Sequence, residues 1–244
     1  MRLQSVLAFA LFPVMVTIGG AIFAVFRRPS ARASSYLQHL AAGVVFAAAA
    51  GEVLPQLMHH RSLTAVALGF TLGIALMLLI RSFAPKEESL EAGATESRGR
   101  GIGSLLGAVS VDVAVDGLLI GIGFAAQEKA GLLLTGALTL ELLFLGLSLS
   151  AALTQAGKSR RTSIGLVAGI SMLLPMGALL GAGLLSGLSD FPMTVVLAFA
   201  VASLLYLVTE ELLVEAHEVP ETPGSTAMFF AGFLALILVE MSAQ

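Results

Sequence analysis

Apolar residues run along this chain in stretches too long for a soluble core, broken by short polar intervals. Eight such stretches fall at about Leu3–Phe26, Tyr36–Met58, Leu63–Ile80, Gly101–Ala126, Ala130–Ala156, Thr162–Leu188, Phe191–Val214 and Gly224–Ser242. Each is 18 residues or longer and so predicts a helix able to cross a hydrocarbon layer. The first is too long for a signal peptide and is followed directly by Arg27 and Arg28, so it is expected to remain as a helix. The fold class expected is an all-α polytopic membrane protein, one transmembrane domain of eight helices over residues 1–244. The connections are short except for Ser82–Arg100, whose Lys86, Glu87, Glu88, Glu91, Glu96, Arg98 and Arg100 predict a solvated loop or a disordered segment.

Basic residues then set an orientation. Intervals after the first, third and fifth stretches hold Arg27, Arg28, Arg32, Arg81, Lys86, Arg98, Arg100, Lys158, Arg160 and Arg161. The other side holds Arg2, Arg61 and Lys129. Positive charge gathers on the cytoplasmic face, so the long loop is expected inside and both termini outside. A compact chain of this kind fits a bacterial inner membrane. Composition agrees with the class: 57% of residues are hydrophobic and 12% charged, where soluble domains carry about 25% charge. The absence of Cys excludes thiolate metal sites and disulfides. No basic patch or Trp points to nucleic acid. No HExxH motif or nucleophile–base pair points to an enzyme.

The acids carry the chemistry. Asp112 and Asp116 lie inside the fourth stretch, Glu141 inside the fifth, and Glu210–Glu211 in the seventh, with no Lys or Arg in the same runs. Each carboxylate at bilayer depth costs about 2.5–3.5 kcal/mol, so such groups are expected to hold protons, water or a cation. Asp112 and Asp116, four residues apart, share a helix face. Only one of Glu210 and Glu211 can face the same way as that pair. Carboxylates converging from three helices make an oxygen-rich site suited to Mn²⁺, Fe²⁺ and Mg²⁺, and to Zn²⁺ less exclusively.

The segments also repeat. Asp112-Val113-Ala114-Val115-Asp116-Gly117-Leu118 can be laid over Glu141-Leu142-Leu143-Phe144-Leu145-Gly146-Leu147, and Glu52-Val53-Leu54-Pro55-Gln56 over Glu211-Leu212-Leu213-Val214-Glu215. Related halves around a polar site are common in secondary transporters. Gly165/Gly169, Gly177/Gly181 and Gly181-Ala182-Gly183 read as packing glycines. Glu215, His217 and Glu218 are expected at the outer mouth together with His59 and His60, as entrance or auxiliary groups, with Glu52 as a further auxiliary acid. Glu240 is expected at the interface, and His39, near the cytoplasmic end of the second helix, as a packed or wetted residue.

With these residues in view, the chain resembles the ZIP (Zrt/Irt-like) zinc/iron permeases, in particular their bacterial GufA-like branch. Glu210-Glu211-Leu212-Leu213-Val214-Glu215-Ala216-His217 is similar to the family's seventh-helix Glu-Glu-Leu-Ile-Pro-Glu-x-His, with Val214 in place of Pro. Gly51-Glu52-Val53-Leu54-Pro55 resembles the second-helix pattern. In the fourth-helix pattern His-Asn-x-x-(Asp/Glu)-Gly, Asp112 stands at the His, Val113 at the Asn, and Asp116-Gly117 match. In the fifth helix, Glu141 stands at the first ligand position, while Leu142, Phe144 and Leu145 replace Asn, Pro and the second Glu. The resemblance implies a ZIP-like bundle with internal repeats that moves zinc, iron, manganese or a similar divalent cation into the cytoplasm. It implies metal ligands Asp112, Asp116, Glu141 and Glu210 or Glu211, and the loss of a second site at Val113, Leu142 and Leu145. The cation is substrate, and no organic cofactor is implied. The partners expected are metal ions, the lipid bilayer and a second copy in a homodimer. Alternative readings are a degenerate metal or pH sensor or binding partner, and a proton-coupled carrier of another solute.

Overall fold

The fold was taken from a computed structural model, which describes residues 3–27, 30–60, 62–83, 95–185 and 187–242. Among these there is no strand, and eight helices are long and apolar enough to cross a membrane. They are α1 (Leu3–Phe26), α2 (Ala31–His59), α3 (Leu63–Phe83), α4 (Thr95–Ala126), α5 (Glu128–Gln155), α6 (Arg160–Gly183), α7 (Asp190–Ala216) and α8 (Pro223–Ser242). Large apolar side chains such as Phe12, Met15, Phe230 and Leu234 remain exposed on the outside of the bundle. A surface of this kind is stable in acyl chains, where water is not the competing solvent.

Local chemistry sets several helix ends. The Ser30 hydroxyl accepts from the Ala33 amide at the start of α2, and Ser159 does the same for Thr162 at the start of α6. Between α5 and α6 the chain turns through Gly157, whose φ of 85° is ordinary for glycine and costly for other residues. Of the charged stretch Ser82–Arg100, residues 84–94 lie outside those described. Ser82 still belongs to α3, and α4 is already helical from Thr95, six residues before the apolar run begins. Polarity ended the apolar stretch there without ending the helix. Residues 2, 28 and 61, three of the basic positions behind the orientation, also lie outside the described residues.

The helices pack as four close pairs: α1 with α5, α4 with α6, α2 with α8, and α3 with α7. Exchanging α1 for α6, α2 for α7, α3 for α8 and α4 for α5 turns this set of pairs into itself. The motif repeats make the same exchange, laying α4 over α5 and α2 over α7. Because α4 and α5 run in opposite directions, the two halves are related as inverted repeats. Glycine marks the equivalence in atomic detail. A Cβ on Gly117 would lie 2.1 Å from the Leu174 carbonyl oxygen, and one on Gly146 would lie 2.2 Å from that of Thr17. These two glycines each follow the first acid of their repeat by five residues, and each lets a partner helix touch the backbone. Gly177 and Gly181 likewise press on α4. Gly165 and Gly169, read from spacing as packing glycines, have nothing within 4 Å of an added Cβ. Small-residue spacing reports permission for a close approach, and a partner helix must still lie on that face.

The second repeat has a backbone signature. Helix α2 widens into a π-type turn over Ala49–Val53, which carries Glu52, and α7 does so over Leu207–Leu212, which carries Glu210 and Glu211. In α2 the widening precedes Pro55, which has no N–H to give to the helix. In α7 the turn forms although Val214 stands where the resemblance places proline. Such insertions rotate the side chains that follow them and are frequent where helices carry function.

Candidate metal centre

Helices α4 and α5 are joined by Gln127 alone and lie side by side, which brings their acids together. Asp112, Asp116 and Glu141 each present a carboxylate oxygen, and the three oxygens lie within 4.8 Å of one another. Asp116 is 2% exposed and Glu141 4%, while Asp112 is partly exposed. The Oδ2 of Asp116 and Oε2 of Glu141 are buried without any hydrogen-bond partner. Nearby hydroxyls do not supply one, since Thr135 and Thr139 donate to the Gly131 and Thr135 carbonyls of their own helix. Among the described residues no Lys, Arg or His forms an ion pair with the three acids. Clustered carboxylates with orphaned buried oxygens call for protons, water or a cation where the described residues offer no donor.

A cavity of about 400 Å³ leads to this cluster. Asp112 and Glu141 line its floor, and Glu210, Glu211, Glu215 and Arg81 line its side, among apolar groups such as Val109, Phe144 and Tyr206. It opens at the end of the bundle where α3, α5 and α7 finish and α4 begins. Asp116, one turn further along α4, does not line it and lies behind Asp112.

The acid pair on α7 divides. Glu210 is exposed and ion-paired with Arg81 at the end of α3. Arg81 was not expected among these acids: it lies beyond its own apolar run, and its long side chain carries the guanidinium back across to α7. Glu211 is more enclosed than Glu210 and lies on the cavity wall.

Glu52, the repeat counterpart of Glu211, is elsewhere. Its carboxylate is buried and lies 3.3 Å from Lys129 Nζ, and Lys129 is also 3.5 Å from Glu240. Glu240 is thus tied to α5 and not simply held at an interface. The positions where the resemblance implied lost ligands are apolar throughout: Val113 and Leu142 are fully buried in the main core, and Leu145 faces the cavity.

The auxiliary residues separate into two ends, which corrects their expected grouping. Glu215 accepts from Gln38 Nε2 at 2.7 Å, and the carbonyl of Ala216 accepts from the Ser35 hydroxyl at 2.8 Å. The ring of His217 lies 5.3 Å from that of His39. All three partners belong to the beginning of α2, so Glu215, His217 and neighbouring Glu218 are at the same end as the acid-lined cavity. His59 and His60 are at the far end of α2, about 30 Å away by helical rise. There they line a separate cavity of about 310 Å³ with Gln56 and Gln127. The cause is chain direction: an odd-numbered helix ends at the face where an even-numbered one begins. His39, expected as packed or wetted, is 3% exposed and in contact with His217. The partnership between residues 178 positions apart had no local signal in the chain.

Comparison with curated proteins gives no match. A family model described as ZIP Zinc transporter matches residues 86–240, which is more than half of the chain and includes α4 through most of α8. Eight membrane-length helices, the repeats and this match agree, and the chain belongs to the ZIP zinc transporter family, an integral membrane protein of a family that transports divalent metal.

Proposed function

We propose that this protein carries divalent cations into the cytoplasm, with Asp112, Asp116 and Glu141 as the central ligands and Glu211 as the next ligand toward the cavity. The observation that carries this reading is the cluster itself: three carboxylates within 4.8 Å, two with orphaned buried oxygens, and no basic partner among the described residues. A dication offers such oxygens more than a water can, because it neutralises charge as well as filling lone pairs. All-oxygen coordination favours harder cations such as Mn²⁺ and Fe²⁺ and weakens preference for Zn²⁺ relative to a site with imidazole. Glu210 is assigned to Arg81 and not to the metal.

In this reading the cavity is the inner vestibule, since it opens at the end to which the positive-inside rule assigns the cytoplasm. A cation leaving Asp112 and Glu141 meets Glu211 and then Glu215, so dehydration is reversed in steps. Protons arriving from that side convert carboxylates to poorer ligands and assist release. The cavity holding His59 and His60 is the outer approach. Helices α1, α4, α5 and α6 pack mainly with one another, as do α2, α3, α7 and α8. Displacement of one group against the other would alternate access to the site.

The test is influx into tag-free proteoliposomes containing a metal-sensitive dye, with Mn²⁺, Fe²⁺, Zn²⁺, Mg²⁺ and Cd²⁺ compared. Influx of at least one cation is expected, and its loss in Asp116→Ala while the purified variant remains monodisperse. Normal influx in that variant would defeat the site assignment. Binding without influx would favour a sensor.

A further inference from the structure

A second cluster able to hold a metal stands apart from the carboxylates. One ring nitrogen each of His39 and His217 and one carboxylate oxygen of Glu221 lie within 4.8 Å of one another. His39 comes from the third turn of α2, His217 from the residue that closes α7, and Glu221 from the turn leading into α8. Glu221 already pairs with Nε2 of His217.

The cluster is built and held in place. The Nδ1–H of the buried His39 donates to the Ser35 carbonyl at 2.8 Å, which leaves Nε2 as the nitrogen with a free lone pair. Metal-binding histidines are commonly fixed in this way, by a bond from the other ring nitrogen to a carbonyl. The hydroxyl of the same Ser35 clamps the Ala216 carbonyl, next to His217. Gln38 Nε2 holds Glu215, and Tyr36 Oη is 3.4 Å from the hydroxyl of Thr222, next to Glu221. Four polar contacts from the first three turns of α2 therefore fix His39 itself and the segments that carry His217 and Glu221. Core packing alone does not require two imidazoles and a carboxylate at one point.

We infer that His39, His217 and Glu221 form a second divalent-cation site, of imidazole–carboxylate character, at the cavity end of the bundle. Two nitrogens and one oxygen suit Zn²⁺ or Co²⁺, with a water as fourth ligand from the exposed side, and suit Mg²⁺ poorly. Zn–N and Zn–O bonds of about 2.0–2.2 Å require the ligand atoms to draw in from their present separation. His217 and Glu221 are exposed and can make that movement around the fixed His39. Glu215, which lines the cavity, is two residues from His217. A cation leaving the carboxylates therefore meets softer ligands at the mouth.

The inference does not depend on the carboxylate cluster, and its test keeps the two apart. Tag-free, full-length protein in detergent would be titrated with Co²⁺, read by visible absorption and by displacement with Zn²⁺. The parent for the titration is Asp112→Asn/Asp116→Asn/Glu141→Gln/Glu211→Gln. One equivalent with imidazole-type absorption is expected in this parent. Adding His217→Ala or Glu221→Gln, both at exposed positions, should weaken it by at least about tenfold. No bound Co²⁺ in a folded parent, or unchanged binding after His217→Ala, would overturn the site. If the fourfold variant does not fold, the same substitutions in the wild type must each remove one equivalent and leave any other. A wild type whose only equivalent disappears with His217→Ala would uphold this site and count against the carboxylate one.

Discussion

Two groups of buried acids lie about 18 Å apart along α5, and they solve the problem of buried charge in opposite ways. Near the start of that helix, Lys129 reaches Glu52 on α2 and Glu240 on α8, so two carboxylates share one ammonium. At mid-height Asp112, Asp116 and Glu141 face one another, and the described residues offer them no cation. The first group has its counter-charge within the chain, in Lys129, and ties three helices together. The second has no counter-charge among the described residues, which is what the proposed site for a passing ion requires and a structural ion pair does not.

The largest effect that could break this contrast is on transport. Asp112→Asn/Asp116→Asn keeps the volume and removes two formal charges from the central cluster. Loss of charged ligands from a dry site is worth several kcal/mol, so influx should fall by at least about 100-fold. The apo variant should unfold at the same temperature as the wild type or higher, because it no longer confines like charges. At a metal concentration 100 times the Kd of the central site, that site should add about 2.7 kcal/mol to the stability of the wild type, and the variant should lose this share of the gain and keep only what the His217 cluster supplies. Calorimetry with and without metal checks both statements. A large apo destabilisation would make the cluster structural after all.

Lys129→Met gives the mirror image. It leaves Glu52 and Glu240 facing each other, and breaking a buried pair costs about 3–5 kcal/mol. Lys129 is one-third exposed, so water offsets part of that cost, and a lowered unfolding temperature is expected. Influx per folded molecule should stay within about threefold of wild type. Lys129→Met/Glu52→Gln should recover most of the lost stability, since the partner charge goes too. A Lys129 variant that folds normally and loses influx would move this triad from structure to function.

How far these two groups could be read from the chain differs for a physical reason. The eight helices were legible because hydropathy over 18 residues is a local property. The central cluster was nearly so: Asp112 and Asp116 share a face by period alone, and the overlay of α4 on α5 put Glu141 in register with Asp112. The Lys129 triad was not legible, because its members come from residues 52, 129 and 240 and meet only through the packing of α5 against α2 and α2 against α8. The grouping of Glu215 and His217 with His59 failed over helix direction, and the chain's alternation of ends, applied consistently, was enough to find it. The choice between Glu210 and Glu211 needed the π-type turn in α7, whose extra residue no side-chain period announces.

That choice gives the next effect in size. Glu211→Gln alters the cavity wall next to the central acids and should weaken metal binding and influx by about tenfold, while the metal-dependent gain in stability persists at higher concentration. The reverse result, with Glu210→Gln costing more than Glu211→Gln, would exchange the two residues in the proposed path.

The smallest effect is expected from Arg81→Gln, which removes the partner of Glu210 at the cavity mouth. Both side chains are substantially exposed, at 56% and 42%, so solvent screens the pair and the unfolding temperature should hardly move. Its influence on a departing cation is electrostatic: the guanidinium offsets one of the acids of the vestibule, and without it the mouth becomes more negative. Influx of a dication should therefore change by less than about threefold, and the change should shrink as salt rises and the Debye length falls to about 3 Å at 1 M. Influx measured at two ionic strengths separates the cases. A loss as large as that of the central acids, and insensitive to salt, would mean that Arg81 is a moving part of the path and that Glu210, released from it, competes for the metal.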